Sequence, residues 1–144
     1  MAKIRHIALT AKDPDAVAAF YREAFDMEEI RRSDNGAVFL SDGYINLAIL
    51  NHKTNSDADV GPNGPNYDGI HHLGFQVDDL ESAAAKLEKV NGKRLQSREA
   101  VAAATGPQGP RNFEMKWAGP SDQVIDVSPV SYTDLRAHET LRYR

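Results

Sequence analysis

The 144-residue chain contains no cysteine. Disulfide bridges, thiolate catalysis and cysteine-ligated zinc or iron–sulfur sites are therefore excluded. The chain also lacks an excess of basic charge, because its 17 lysines and arginines are outnumbered by 21 aspartates and glutamates, which gives a net charge of −4. This balance argues against a nucleic-acid partner, since a protein that binds the phosphate backbone needs a basic face.

Long apolar runs are absent as well, and no stretch is long enough to span a bilayer. The first residues enter a strand pattern at once and show no apolar segment of a secretory signal. We therefore expect a cytoplasmic protein without a membrane partner.

The length suits a single domain over residues 1–144, or two half-sized modules that share one core, and such a chain buries enough apolar surface to fold alone.

Two segments of the chain, 5–13 and 71–79, share one pattern. Each has a basic residue, a histidine, alternating apolar positions and an aspartate, and each continues into a helical pattern. An internal repeat of this kind predicts two copies of one structural unit. His6 and His72 occupy the same place on the first strand of each copy. If the copies pack about a pseudo-twofold axis, the two imidazoles converge on one point, which a metal ion explains most simply.

The first copy reads as a strand over 3–11, a helix, and a hairpin over 37–50 that turns at 41–43. Asp13 followed by Pro14 is typical of a helix start. Helical spacing then predicts one apolar helix face, made of Val17, Phe20, Tyr21, Ala24 and Phe25.

The second copy repeats this order, with a strand over 70–77, a helix that ends at Asn91-Gly92, and a hairpin over 113–127. Its predicted apolar helix stripe contains Leu80, Ala83, Ala84, Leu87 and Val90. Segment 51–68, rich in Asn, Asp, Gly and Pro, is predicted to be a linker, 102–111 a second irregular loop, and 130–144 a solvated tail.

The segments RHIALTAKDPDAVAAFY, HHLGFQVDDLESAAAKL and GPSDQVIDVSP together resemble the vicinal oxygen chelate superfamily, which groups glyoxalases, bleomycin-resistance proteins and extradiol dioxygenases. The resemblance covers roughly residues 3–129. It implies an α+β fold of paired βαβββ modules, at about 3–50 and 69–129, whose sheets form a cleft around a divalent metal. Members of the family commonly form homodimers or exchange modules between chains, so a homodimer is expected.

In that family the metal ligands come from the first and last strands of each module. Carried over residue by residue, these positions are His6, His72 and Asp126, with Asn46 at the matching place in the first module. Family members usually have glutamate at the final position, and Asp126 is one methylene shorter. Asn46 is a possible fourth ligand or substrate contact, but its amide cannot shuttle a proton at neutral pH as a carboxylate can.

The residues themselves agree with this site. Asp126 lies between Ile125 and Val127 in an apolar strand, and a buried carboxylate is costly unless it is paired, hydrogen-bonded or metal-bound. Two neutral imidazoles and one carboxylate are the ligand set of non-haem Fe(II) oxygenases. Fe²⁺ is therefore the favoured metal, and the same set also suits Mn²⁺, Zn²⁺ or Ni²⁺.

Other polar and aromatic residues have plainer interpretations. His71 is expected to lie on the other face of the strand, exposed or stacked, and His52 to be a solvent residue of the linker. Tyr21 and Phe25 are expected in the core. Lys116 and Trp117 lie on a strand of the predicted cleft, and the sequence leaves open which of their side chains faces it.

Three functions compete on these grounds. The first is an extradiol-type dioxygenase, in which three protein ligands leave metal positions for a vicinal diol and O₂. Ring-cleaving members of the family also have a histidine and a tyrosine near the metal, which the sequence does not identify. The second is a glyoxalase- or epimerase-like lyase or isomerase, in which the metal polarises a carbonyl and a carboxylate moves a proton. The third is a metal-free resistance-type protein that binds a small molecule, against which the predicted ligand triad counts.

Overall fold

The βαβββ pattern occurs twice in the computed structural model, which describes residues 1–54, 57, 60–95 and 115–129. The first copy consists of β1 (Lys3–Ala11), α1 (Pro14–Phe25), β2 (Glu28–Arg32), β3 (Val38–Ser41) and β4 (Asn46–Asn51). The second consists of β5 (Gly69–Gln76), α2 (Leu80–Lys89), β6 (Lys93–Arg94), β7 (Met115–Ala118) and β8 (Val124–Ser128). The predicted α+β class with paired βαβββ modules is confirmed.

All eight strands of the described ranges join one sheet in the order β2-β3-β4-β1-β5-β8-β7-β6. The first strands of the two copies, β1 and β5, pair antiparallel at its middle. Each of them pairs in parallel with the last strand of its own copy, β1 with β4 and β5 with β8. The four central strands are therefore the ones that carry the predicted ligands.

Helix α1 begins as the sequence predicts. The Asp13 side chain accepts a hydrogen bond from the Ala16 amide at 3.0 Å, Pro14 opens the helix, and the chain turns away at Asp26 in the left-handed region. The helix covers the sheet face opposite the predicted ligands. The core between them contains Leu9, Ala11, Ala18, Val38, Leu40, Leu47 and Ile49, with Ile7, Val17, Tyr21 and Met27 packed against it.

The predicted apolar face of α1 is wrong at three of its five positions. Phe20 and Phe25 are 59% and 63% exposed, and Ala24 is exposed as well. Ala18, which the spacing did not single out, is buried. Phe20 lies at the flank of the stripe that meets the sheet, and Phe25 is the last helical residue, where the chain leaves the sheet. In the second copy Val90, which caps the end of α2, is likewise exposed, and α2 has no buried residue.

The predicted linker 51–68 is described in part. Its first residue, Asn51, belongs to β4, and a 3₁₀ turn follows at Gly61–Asn63. The Thr10 hydroxyl donates to the Tyr67 carbonyl at 2.7 Å, which holds the end of this segment against β1. The predicted loop 102–111, the strand start at Phe113 and the tail 130–144 lie outside the described residues. Neither described helix has the length and apolar character needed to cross a membrane.

Candidate metal centre

The structure brings His6, His72 and Asp126 together in the interior. One candidate ligand atom from each lies within 4.8 Å of the others. The two histidine Nε2 atoms are 3.2 Å apart, and His72 Nε2 is 3.0 Å from Asp126 Oδ2. All three side chains are buried. The cluster joins the two copies, because His6 lies on β1 of the first and the other two lie on β5 and β8 of the second.

A glycine makes this convergence sterically feasible. Gly74 on β5 lies between its register partners His6 on β1 and Asp126 on β8. A Cβ atom on Gly74 would lie 2.6 Å from His6 Cβ and 2.9 Å from His6 Cδ2. The missing side chain therefore leaves the space that the His6 ring occupies.

Asn46 determines which nitrogen of His6 is protonated. Its Oδ1 lies 2.8 Å from His6 Nδ1. An amide oxygen only accepts hydrogen bonds, so Nδ1 carries the proton and donates it. In the neutral ring Nε2 then has a free lone pair, which is directed toward His72 and the centre of the cluster.

His71 favours protonation of His72 at Nδ1 through a chain of hydrogen bonds. His71 Nε2 is 3.2 Å from the Val60 carbonyl oxygen, which can only accept, so His71 donates there. Its Nδ1 then accepts from His72 Nδ1 at 3.0 Å. In this tautomer the Nε2 lone pair of His72 is available to a cation. His71 is thus not exposed, as one of the two expectations held, but buried with its ring edge-on to that of His72.

The charges in the cluster favour ligation. Burial lowers the pKa of His72 more than Asp126 raises it, so the imidazole is neutral at pH 7. Burial alone would raise the pKa of Asp126, but His72 and Lys116 outweigh it and hold that pKa well below its usual range. The cluster thus presents two neutral imidazoles and one ionised carboxylate.

Lys116 is the charged residue that the sequence left unassigned. It lies directly opposite Asp126 in the β7–β8 pair, and its Nζ is 2.5 Å from Asp126 Oδ1. Only 3% of the residue is exposed. Because side chains alternate along a strand, its neighbour Trp117 is buried on the other sheet face. Asp126 therefore uses Oδ1 for the lysine and directs Oδ2 toward His72.

The register explains why Asn46 and Asp126, which match in the repeat, take different places. Asn46 lies directly opposite His6, so it reaches the Nδ1 side of that ring. In the second copy Val124 lies opposite His72, and Asp126 is two residues further along, where it reaches Nε2. The metal-ligand or substrate role of Asn46 stays a prediction, and its observed contact is the one that orients His6.

The remaining candidates are placed as follows. His52 lies outside the cluster and bonds Asp68 Oδ1 through Nε2 at 2.7 Å. The supporting roles of His71 and Lys116 were missed by the sequence reasoning. The signals for them were a histidine doublet on the first strand of the repeat and a lysine between Met115 and Trp117, opposite the predicted ligand strand.

The donor set fits a divalent cation. When Nδ1 is protonated on both rings, the two Nε2 atoms and an Asp126 oxygen can all direct lone pairs at one cation. Ligands about 2.1 Å from a metal and at right angles are about 3.0 Å apart, close to the 3.2 and 3.0 Å found between neighbouring donors. Hydrogen bonds behind each imidazole are also typical of metal-ligating histidines. The residues could therefore hold Fe²⁺, Mn²⁺, Zn²⁺ or Ni²⁺.

Comparison with known proteins agrees with the fold. The family model described as the Glyoxalase/Bleomycin resistance protein/Dioxygenase superfamily matches residues 3–109. No curated protein sequence matches the chain significantly.

Several solved structures share the fold at low identity. A hypothetical protein from Bacillus halodurans C-125 is 15% identical with a TM-score of 0.63, over 88% of this chain and 93% of that one. A Streptomyces coelicolor methylmalonyl-CoA epimerase variant in complex with 2-nitronate-propionyl-CoA is 19% identical with a TM-score of 0.58, over 88% and 95%. The 2,3-dioxygenase LapB from Pseudomonas sp. KL28 is 19% identical with a TM-score of 0.60, over 88% of this chain and 40% of that one.

Proposed function

Because the chain belongs to the glyoxalase/bleomycin resistance protein/dioxygenase superfamily, we propose that it is a metal-dependent enzyme that acts on a small molecule with two vicinal oxygens, as an extradiol-type ring-cleaving dioxygenase. The observation that carries the proposal is the convergence of His6 Nε2, His72 Nε2 and an Asp126 carboxylate oxygen in the interior. Two imidazoles and one carboxylate on adjacent positions form the ligand arrangement of non-haem Fe(II) oxygenases.

Iron bound there would supply the redox chemistry and Lewis acidity, with positions open beside the three protein ligands. The chain itself does the rest. Asn46 and His71 hold the two imidazoles with their lone pairs inward, Gly74 leaves room for the His6 ring, and Lys116 fixes the rotation of the Asp126 carboxylate. These buried contacts place the donors before substrate binds, which reduces the reorganisation needed during the reaction.

The position of the Asp126 carboxylate favours an oxygenase over an epimerase of the two-base type. An epimerase of the two-base type needs acid–base groups on both sides of the reacting carbon. Among the described residues Asp126 is the one buried carboxylate, and it is already shared between the ligand cluster and Lys116. Asn46 stands where a second carboxylate would be needed, and it cannot exchange a proton at neutral pH.

A lyase or isomerase is the second candidate, in a version that needs no second carboxylate at the Asn46 position. The amide at this position resembles the epimerase variant of the family. The epimerase structures that share the fold bind coenzyme A thioesters. A metal that polarises a carbonyl, with a buried ammonium close by, would suit an enolate as well as a catecholate.

The test begins with elemental analysis of protein purified without chelator, since a metal-free binding protein would carry none. The Fe²⁺-loaded protein is then given catechol and 3- and 4-substituted catechols in air, and oxygen uptake and the absorbance of ring-cleavage products are measured. We expect uptake of one O₂ per ring cleaved, lost in His72→Ala. Solvent-deuterium incorporation into methylmalonyl-CoA without oxygen uptake would favour the isomerase instead.

We further propose a homodimer in the cytoplasm that acts on a small molecule rather than on nucleic acid or a membrane. Exposed apolar side chains such as Ile4 and Leu73 lie on the central strands β1 and β5 of the sheet. Burial of such side chains between two copies is the usual driving force for a stable interface. Light scattering at micromolar concentration should give twice the monomer mass of 15.9 kDa, and a monomer would contradict the dimer.

A further inference from the structure

Segment 60–68, the part of the linker that leads into β5, is held against the sheet face that carries the candidate ligands. We call this segment the strap. Side chains alternate along a strand, so Thr10 on β1 lies on the same face as His6. The Thr10 hydroxyl donates to the Tyr67 carbonyl at 2.7 Å. This hydrogen bond holds one end of the strap on the first copy of the repeat.

The other end of the strap lies against the second copy, next to the candidate metal centre. Gly61 packs so closely on Val124 that a Cβ atom on the glycine would lie 2.7 Å from Val124 Cγ2. Val124 is directly opposite His72 in the β5–β8 pair, and it is two residues from Asp126 on the same face. The strap therefore joins the two copies on the side of the sheet where the ligands converge.

His71 connects the strap to the candidate metal centre. Its Nε2 atom is 3.2 Å from the Val60 carbonyl oxygen, and its Nδ1 atom is 3.0 Å from His72 Nδ1. Successive residues of a regular strand point to opposite faces, but the β1–β5 register shifts here and makes His71 the extra residue of a bulge. The bulge lets the two successive histidines contact each other. One buried side chain thus touches both the strap and a candidate ligand.

On the basis of the proposed metal site, we propose that closure of the strap and binding of the metal are coupled through His71. A metal on His72 holds that imidazole in one orientation, which keeps His71 in place to bond Val60. A closed strap in turn holds His71, and through it His72, in the orientation that binds metal. Two coupled events strengthen each other by the same factor, typically about 5- to 150-fold. The strap is thus the element that retains the metal.

Hydrogen exchange tests the coupling in the intact protein. The amides of Val60 and Gly64 donate within the linker, at 3.4 and 3.3 Å, and report its closure. Their exchange is followed by NMR with Zn²⁺ and with a chelator. We expect Zn²⁺ to slow it about 5- to 150-fold. Helix α2 is the internal control, because it has no buried residue and is expected to open locally, so its exchange should respond to the metal much less.

Two variants test the reciprocal effect on metal affinity. Gly61→Ala moves the strap away from Val124, because the added Cβ has no room and φ is +57°. We expect it to bind Zn²⁺ more weakly, by up to the factor by which Zn²⁺ protects the strap. Thr10→Val removes the hydroxyl at the other end and should weaken binding in the same direction. Gly43→Ala is the matched control, with φ at +91° and no atom within 4 Å of the added Cβ, and should keep the wild-type affinity.

The outcomes separate the coupling from the function on which it rests. A wild-type protein that takes up no divalent metal would overturn both. Metal binding without slower exchange in the strap would overturn the coupling alone. Equal slowing in the strap and in α2 would do the same, because the metal would then stabilise only the fold as a whole. A Gly61→Ala variant whose strap exchanges faster at unchanged Zn²⁺ affinity would also contradict it. If that variant does not fold, exchange in the wild type decides.

Discussion

At the scale of single residues, the hydrogen-bond partners of the two ligand imidazoles are expected to affect metal affinity. His71 Nδ1 accepts a hydrogen bond from His72 Nδ1, and His71 Nε2 donates one to the Val60 carbonyl oxygen, so the two bonds in series favour a lone pair on His72 Nε2. We expect His71→Phe to weaken metal binding about 10- to 100-fold, the usual effect of removing such a partner. Calorimetric titration with Zn²⁺ measures it. Substitution of His52 by Phe is the control, since its ring bonds Asp68 away from the centre, and equal losses in both variants would contradict the role of His71.

Gly74 allows a second prediction at this scale. An alanine there would place Cβ 2.6 Å from His6 Cβ, so the His6 ring must move. We expect Gly74→Ala to cost about 1–3 kcal/mol in the free energy of unfolding, as overpacking does, and to weaken metal binding as well. Gly43→Ala is the matched control, because φ is +91° there but no atom lies within 4 Å of the added Cβ. It should lower stability and leave metal affinity unchanged, as shown by denaturant unfolding and metal titration of both variants.

At the scale of elements, the two helices begin alike but are held differently. Asp13 caps α1 by accepting from the Ala16 amide, and Asp79 caps α2 by accepting from the Ser82 amide. Helix α1 packs onto the main hydrophobic core, whereas α2 has no buried residue. Loss of the Asp13 cap therefore destabilises the whole fold, because α1 packs on its core. Loss of the Asp79 cap can be relieved by local opening of α2.

The prediction at this scale compares the two caps. Asp13→Ala should lower the free energy of global unfolding by about 0.5–2 kcal/mol. Asp79→Ala should change global unfolding less and instead accelerate amide hydrogen exchange within α2. Denaturant titration and hydrogen exchange by NMR measure the two effects. Equal changes in global stability would show that α2 opens only when the whole domain does.

At the scale of the whole molecule, the candidate metal centre is a link between the two copies of the repeat. His6 comes from the first copy and His72 and Asp126 from the second, on strands that lie side by side at the middle of the sheet. A metal that binds only the folded chain stabilises it, by about 2.7 kcal/mol when its free concentration is 100 times Kd.

We therefore expect Zn²⁺ to raise Tm by roughly 5–10 °C, and a chelator to reverse the change. Scanning calorimetry with and without metal measures it. His72→Ala is the control, and its Tm should not respond to metal. A wild-type Tm that is the same with metal and with chelator would mean that the cluster holds no cation in the folded chain.

The sequence by itself was sufficient for the features that depend on local pattern. The repeat around His6 and His72 predicted two copies of one structural unit, Asp13 with Pro14 predicted the start of α1, and an acid in an apolar strand predicted that Asp126 would need a partner. Each of these signals is contained in a few neighbouring residues. Strand alternation, helix capping and the cost of burying a charge act at that range, so they can be recognised without knowledge of the fold.

Only the tertiary structure decided what faces the cluster from other strands. The pairing of Lys116 with Asp126, the offset that places Asn46 behind His6, and the exposure of Phe25 depend on register and on where α1 leaves the sheet. A shift of one residue in register would move Lys116 to the opposite face. Register is determined by many contacts between segments distant in sequence, so no local pattern around Lys116 indicates its partner, and its charge at the centre becomes visible only after the strands are paired.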